Sequence, residues 1–416
     1  MNSLVLTTYR PGRPSSGSAL RNWQNIHALA RLGPVDVVSV GVDGGTESVT
    51  GIREWATFSL GQRSAWDRLK TTGWLLRPGV HRTIDQYHMR PVTRWLEARV
   101  SQRAYGAAVV EGIPLSTYVQ DLKRAGCRVV FDAHNVESAL HAAVLDERDR
   151  NASAVRRAKD WVVRRRMSVA ERRAVRGADI VWACSDGDAR DLERLYGSRE
   201  VVVVPNGVDV EAYRRPGVMH VHEDWTGHPI TIVYTGLFSY QPNERAARSL
   251  VEDVLPWLRA RGHDARVVLV GRGPSAAMLA AARLDNRVLV TGEVESVLPY
   301  LEQPCVVVVP ITLGSGTRLK IVEAFAVGRP VVSTSKGAEG LDVVDGEHLL
   351  IRDDAASMAE AVRDLWLRPR WREALCGNAL AAARRQYSWS SAARRIGESL
   401  AVAPRADLSS RRRVIA

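Results

Sequence analysis

The sequence predicts an α/β protein with two doubly wound parallel sheets, each covered by helices. Three observations predict it. Short valine-rich segments alternate with helical ones through the first half, the pattern of strands buried on both faces by crossover helices. The alternation resumes at Ile230 after a polar stretch to Pro229, which contains Pro216, Gly217, His220, His222, Gly227 and His228 and reads as a linker. At 416 residues the chain is too long for one ordinary core and suits two.

Composition narrows the class. Apolar residues make 45% of the chain and charged ones 25%, as in a soluble globular protein. The net charge of +12 is carried by arginine, since the only lysines are Lys70, Lys123, Lys159, Lys320 and Lys336. Such a balance attracts nucleic acid, anionic membrane or a phosphorylated substrate without choosing among them. Cys127, Cys184, Cys305 and Cys376 lack metal-ligand spacing and read as buried free thiols in a reducing compartment. Strand character begins at Ser3, and no apolar run reaches the ~18 residues of a membrane span, so the expected location is cytoplasmic.

The first strands are expected at Ser3–Thr7, Val35–Val40, Ala107–Val110, Arg128–Phe131, Asp179–Ala183 and Glu200–Val204. Ligands of such sheets sit beyond the carboxyl ends of the strands, so the loops there hold the candidates. The loop Thr8–Ser18 is rich in Gly and Pro and precedes a helix from about Ala19 to Leu32, with Gly17 and Arg21 near its start. From Gly61 to Arg99, Trp66, Trp74 and Trp95 mix with arginines, which fits a membrane-surface helix pair or one packed on the sheet.

The fourth strand runs into Asp132-Ala133-His134-Asn135-Val136-Glu137. An Asp/Asn turn explains Asp132 and Asn135 but not His134. The helix expected at Ser153–Arg176 carries Arg156, Arg157, Lys159, Arg164, Arg165, Arg166, Arg172 and Arg173, with Trp161 and Met167 interleaved. It reads as a solvated surface, a lipid patch or a nucleic-acid surface; no nucleic-acid module or stacking platform accompanies it, so nucleic acid is not an expected partner. Ser185-Asp186-Gly187-Asp188 spells Asp-x-Asp, but between a strand and a helix it reads as an N-cap by Ser185 or Asp186, and no metal is expected.

In the second half, Ile230–Tyr234 leads into the loop Thr235–Asn243. Arg266–Val270 ends in Gly271-Arg272-Gly273-Pro274, a weak nucleotide signal that lacks a third glycine. Arg287–Val290 is followed by Gly292-Glu293-Val294. The organising stretch is the apolar Cys305–Pro310 followed by Gly314-Ser315-Gly316-Thr317-Arg318-Leu319-Lys320-Ile321-Val322-Glu323-Ala324, a strand, a loop and a helix that Gly328 and Pro330 stop. Glycines admit a close approach of the backbone, and free N–H groups at the helix start suit a phosphate. Arg318 and Lys320 oppose the helix dipole there, which an anion outside the helix would repair.

That stretch, with Gly328-Arg329-Pro330-Val331-Val332-Ser333-Thr334 and Gly337-Ala338-Glu339-Gly340-Leu341, resembles the donor-binding half of family-4 glycosyltransferases, retaining enzymes of the two-domain GT-B fold. Asp132–Glu137 is similar to the acceptor-half motif of the same family. The resemblance implies two Rossmann-like domains facing across a cleft: 1–208 for the acceptor, rejoined by a terminal helix at 386–403, and 209–385 for the nucleotide sugar, with 404–416 a basic tail. It implies transfer of a sugar from a nucleotide diphosphate sugar to a hydroxyl of a glycan, glycolipid or small molecule, with no metal or other cofactor. His134, Arg318 and Lys320 would act in catalysis. Gly17, Gly236, Gly271, Val294, Ser315, Gly316, Thr317, Leu319 and Glu323 would join Arg318 and Lys320 around the donor, Glu323 on its ribose. A peripheral contact with anionic membrane is a further expectation.

Two departures stand out. The loop Gly236–Asn243 has no arginine or lysine where many members hold the diphosphate, and Ser315 stands where many have the first glutamate of Glu-x7-Glu. A nucleotide-sugar epimerase of the same fold, or a non-catalytic membrane- or partner-binding member, are the alternatives.

Overall fold

Valine is stiff at χ1 and packs well on a pleated surface, so the apolar runs form strands. The computed structural model describes residues 1–9, 17–43, 50–72, 81–142, 153–197, 200–213, 225–313 and 317–401. Ser315, Gly316 and the tail 404–416 lie outside them. The first sheet holds β1 (Ser3–Thr7), β2 (Val35–Val40), β3 (Ile52–Phe58), β4 (Ala107–Glu111), β5 (Val129–Ala133), β6 (Ile180–Ala183) and β7 (Glu200–Val203). Its order is β3-β2-β1-β4-β5-β6-β7, every neighbouring pair parallel. The second holds β8 (Ile230–Thr235), β9 (Ala265–Val270), β10 (Val288–Gly292), β11 (Val306–Val309), β12 (Val331–Ser333) and β13 (Leu350–Ile351), in the order β10-β9-β8-β11-β12-β13, again parallel. Strand order reverses between β1 and β4 and between β8 and β11, which opens a crevice at the carboxyl ends of those strands.

Five helices matter for the site: α1 (Gly17–Leu32), α2 (Ala154–Gly177), α3 (Asp186–Tyr196), α4 (Leu319–Val327) and α5 (Trp389–Ala401). Ser185 caps α3 as the sequence predicts, its Oγ accepting from the Asp188 N–H at 3.1 Å. α4 buries Ile321, Val322, Ala324 and Phe325 and ends where Gly328 turns left-handed, with Arg329 N–H donating back to Ala324 O at 2.8 Å. The helix begins at Leu319, with Arg318 at the N-cap and no side-chain cap. Thr317, the residue suited to cap it, instead donates its hydroxyl to Cys184 O in the first half, at 3.3 Å.

The chain crosses between the halves twice at one place. Val208 N–H donates to Tyr387 O at 2.8 Å, and Trp389 N–H to Val208 O at 3.1 Å. α5 then packs on α1 and completes a first-half core with Ala392, Ile396 and Leu400, while Trp182 Nε1 donates to Ser399 Oγ at 3.1 Å. All four cysteines are buried and free. Among the described residues no helix is long and apolar enough to cross a membrane.

Candidate active site

The first-half side of the crevice is built by α1 on the ends of β4 and β5. Arg21 and Asn25, four apart on α1, share the face turned to the sheet. Arg21 Nε donates to Asp132 Oδ2 at 2.8 Å, a second guanidinium nitrogen closes the ion pair, and the third donates to Val204 O at 2.7 Å and Asn206 Oδ1 at 2.9 Å. Asn25 Nδ2 bridges Asp132 at 2.9 Å and Glu111 at 3.1 Å. The Asn22 amide, oriented by its neighbours, accepts from Thr7 Oγ1 and donates to Glu111 at 3.1 Å and Ser18 O at 3.0 Å.

His134 enters this network from the loop after β5. Its Nε2 lies 3.2 Å from Glu111 Oε2 and 3.3 Å from Asp132 Oδ2. Burial works against the Asp132 charge, but Arg21 and His134 overrule it and hold the carboxyl far below its usual range. Burial, with Asp132 beside it, pushes Glu111 up to about 7. Burial opposes the His134 charge as well, yet its hydrogen bonds to Asp132 and Glu111 raise it to about 9. The charged ring is therefore favoured at neutral pH, with Asp132 and Glu111, itself poised near neutrality, beside Nε2 and the Asn22 amide nitrogen 3.1 Å from it. Its Nδ1 has no hydrogen-bond partner among the described residues and remains a donor for a ligand. Gly112, at φ +75°, leaves room for that edge: a Cβ there would stand 3.3 Å from Nδ1.

The second-half side of the crevice is built on β8 and α4. Lys320 Nζ lies 3.9 Å from the centre of the Tyr234 ring and donates to Asn243 Oδ1 at 3.1 Å. No carboxylate forms an ion pair with it among the described residues. Burial, and then Arg318 next to it, push the ammonium well below the usual lysine range. Arg318 is lowered by burial, partly offset by Tyr240, Tyr234, Glu339 and, from the first half, Asp188. The two cations thus share a desolvated place at the start of α4, which favours an anion beside them. Glu323 is raised by burial, against which the Tyr213 hydroxyl donates to its Oε1 at 3.0 Å.

Glycines set the floor. A Cβ on Gly236 would lie 3.3 Å from Lys320 Nζ, and one on Gly271, at φ +146°, would overlap the Gly236 carbonyl. The first half closes over this floor: a Cβ on Gly17 would stand 3.4 Å from Leu319 Cδ1, and one on Gly340 3.3 Å from Ser185 Cβ.

Of the residues expected from sequence, Gly236, Gly271, Arg318, Lys320 and Glu323 meet on the second-half side of the crevice, Gly17, Thr317 and Leu319 form the seam between the halves, and His134 stands on the first-half side. Val294 lies on the loop after β10, whose Gly292 O accepts from the Gly271 N–H at 3.2 Å. Sequence reasoning missed Glu111, Asn22, Asn25, Tyr213, Tyr234 and Asn243. Only the polar α1 residues carried a signal, since Arg21, Asn22 and Asn25 fall on a helix expected to face a core. Among the described residues, Glu111, Asp132 and His134 alone bring three metal-ligating types together, their atoms within 4.8 Å. Arg21, Asn25 and the imidazolium already supply the charge and donors these carboxylates need, so the trio fits a metal poorly.

The model "Glycosyltransferase Family 4" matches residues 26–212, and "Glycosyl transferases group 1" matches 229–367. The chain is 28% identical over 222 residues to a phosphatidyl-myo-inositol mannosyltransferase of Mycobacterium leprae, covering 51% of this chain and 56% of that one. It is 30% identical over 290 residues to a D-inositol 3-phosphate glycosyltransferase of Actinosynnema mirum, covering 64% and 65%. The chain thus spans between half and two thirds of these relatives. Among solved structures it is similar to sucrose-phosphate synthase from Thermosynechococcus elongatus, with a TM-score of 0.70, 18% identity and 96% and 98% of the two chains covered. It is similar also to Anabaena HepE in complex with UDP, with a TM-score of 0.66, 15% identity and 96% and 99% covered.

Proposed function

For this chain, which belongs to the family-4, group 1 glycosyltransferases of the GT-B fold, we propose transfer of a sugar from a nucleotide diphosphate sugar to an acceptor hydroxyl with retention of anomeric configuration. The observation that carries the reading is the Arg318 and Lys320 pair, desolvated on glycine floor and tyrosine ring, with no carboxylate paired to Lys320 among the described residues. It takes the place of the cations missing from Gly236–Asn243.

In this reading the diphosphate lies against Arg318, Lys320 and the start of α4, and its ribose reaches Glu323. As the glycosidic bond breaks, charge grows on the departing diphosphate, and a fixed cation in a low-dielectric site stabilises that charge most. The acceptor hydroxyl approaches from the first half on the face the diphosphate leaves, and passes its proton to the diphosphate oxygen. His134 Nδ1 donates a hydrogen bond to the sugar. The names of the relatives favour a hydroxyl on a phosphate-bearing polyol, free or lipid-linked.

Peripheral contact with anionic membrane is part of the proposal. It is supported by a groove of about 550 Å³ along α2, lined by Trp161, Arg164, Arg165, Arg172 and Leu195, with Trp161 61% exposed.

A panel of nucleotide sugars tests the donor, since a ligand at ~100 times its dissociation constant stabilises by ~2.7 kcal/mol. Lys320→Ala is expected to lower single-turnover rate at least about tenfold beyond its effect on donor binding. No thermal shift with any nucleotide sugar, or equal rates in parent and variant, would overturn the reading. Proton NMR of the product's anomeric centre tests retention.

A further inference from the structure

We propose that Tyr213, on the segment joining the two halves, is a positioning residue that holds the Glu323 carboxylate for the nucleotide's ribose and ties nucleotide occupancy to that segment. The inference rests on the placement of the donor ribose at Glu323.

The segment leaves the first sheet at Val204 and is pinned at Val208 by backbone hydrogen bonds to Tyr387 and Trp389. Trp389 Nε1 holds the preceding turn by donating to Gly207 O at 3.1 Å. Asp209 then turns the chain: its carboxylate accepts from Ala212 N–H at 3.2 Å, and its carbonyl from Tyr213 N–H at 3.3 Å. This directs the Tyr213 ring onto the second-half core and its hydroxyl to Glu323 Oε1, 3.0 Å away and 110 residues on.

A buried carboxylate without a donor tends to take up a proton, and a neutral acid loses the charge-assisted bonds that a diol would make to it. Tyr213 supplies one donor and no competing charge. Glu323 Oε2 takes no hydrogen bond among the described residues. One oxygen is thus anchored by the protein while the other, with the spare lone pair on Oε1, remains for two ribose hydroxyls. Because Tyr213 lies five positions beyond the crossing at Val208, a ribose seated on Glu323 restrains the stretch that joins the halves.

The test is calorimetry on the full chain with the nucleoside diphosphate of the donor selected above, and with pyrophosphate as a probe lacking ribose. Tyr213→Phe is expected to weaken the nucleoside diphosphate about tenfold and leave pyrophosphate unchanged. The acid limb of nucleotide affinity should move to higher pH, because the hydroxyl that lowers the Glu323 pKa is gone. Tyr213→His, which keeps a ring and an N–H donor, should recover part of the loss. Equal nucleotide affinity in Tyr213→Phe and parent, or equal loss for pyrophosphate, overturns the proposal and leaves the donor site standing. If the parent binds no nucleoside diphosphate, or Glu323→Gln binds it as the parent does, the ribose placement itself falls and takes the proposal with it.

Discussion

At the scale of the residue, His134 and Glu111 tie the fold to pH, and His134 makes the site sensitive to alkali. His134 stands at about 9 in the folded chain against an ordinary 6.5. A histidine raised by folding contributes stability that is present below 6.5 and lost as pH rises through 9. Glu111, raised to about 7 from 4.5, also keeps a proton that the unfolded chain releases, so its effect has the same sign. Thermal stability should therefore decline as pH rises, from about 4.5 to 7 through Glu111 and from about 6.5 to 9 through His134, and the rate should fall over the second window as Nδ1 ceases to belong to a cation. In Glu111→Gln one carboxylate is removed from Nε2, so the alkaline limb of initial rate is expected to move down by about one pH unit. His134→Ala should remove the limb and lower turnover more than donor affinity. A limb unchanged in Glu111→Gln would place its origin elsewhere.

At the scale of the element, the arrest of α4 at Gly328 and the cap before α3 were legible in the sequence, because turn chemistry decides them. The start of α4 was not: Thr317 spends its hydroxyl on Cys184, 133 residues away, and no local pattern signals that. β3 was missed for a related reason. Its Arg53 and Glu54 are charged and pair with Asp36, Arg99 and Arg103, so the strand at the sheet edge reads as a loop until its partners are known. Of the site, the motif residues stood out, whereas Tyr213, Tyr234 and Asn243 act through tertiary placement alone. The floor beneath Lys320 yields its own prediction. Gly271→Ala combines a left-handed φ with overlap on the Gly236 carbonyl, and is expected to cost about 2–3 kcal/mol in denaturant unfolding. It should also weaken nucleotide diphosphate binding, where Gly273→Ala, which meets only ordinary neighbours at about 3.4 Å and strain from its φ of +70°, should do less.

At the scale of the whole molecule, both switch points face one crevice while α2 presents its cations on the outside. Replacing Arg164, Arg165 and Arg172 with glutamine should reduce cosedimentation with anionic vesicles several-fold at low salt, and the difference should shrink as salt rises. Donor binding should be unchanged, which separates this face from the crevice. A parent chain that ignores anionic vesicles at low salt would make α2 an ordinary solvated helix. The placement of α5 bears on how such a molecule diversifies. Those 13 residues follow the second half in the gene but fill the core of the first, with Ile396 fully buried there. The halves are therefore not interchangeable cassettes: a chimera that grafts a foreign second half onto this first half needs two splice points, so that the native terminal helix comes home to its own core.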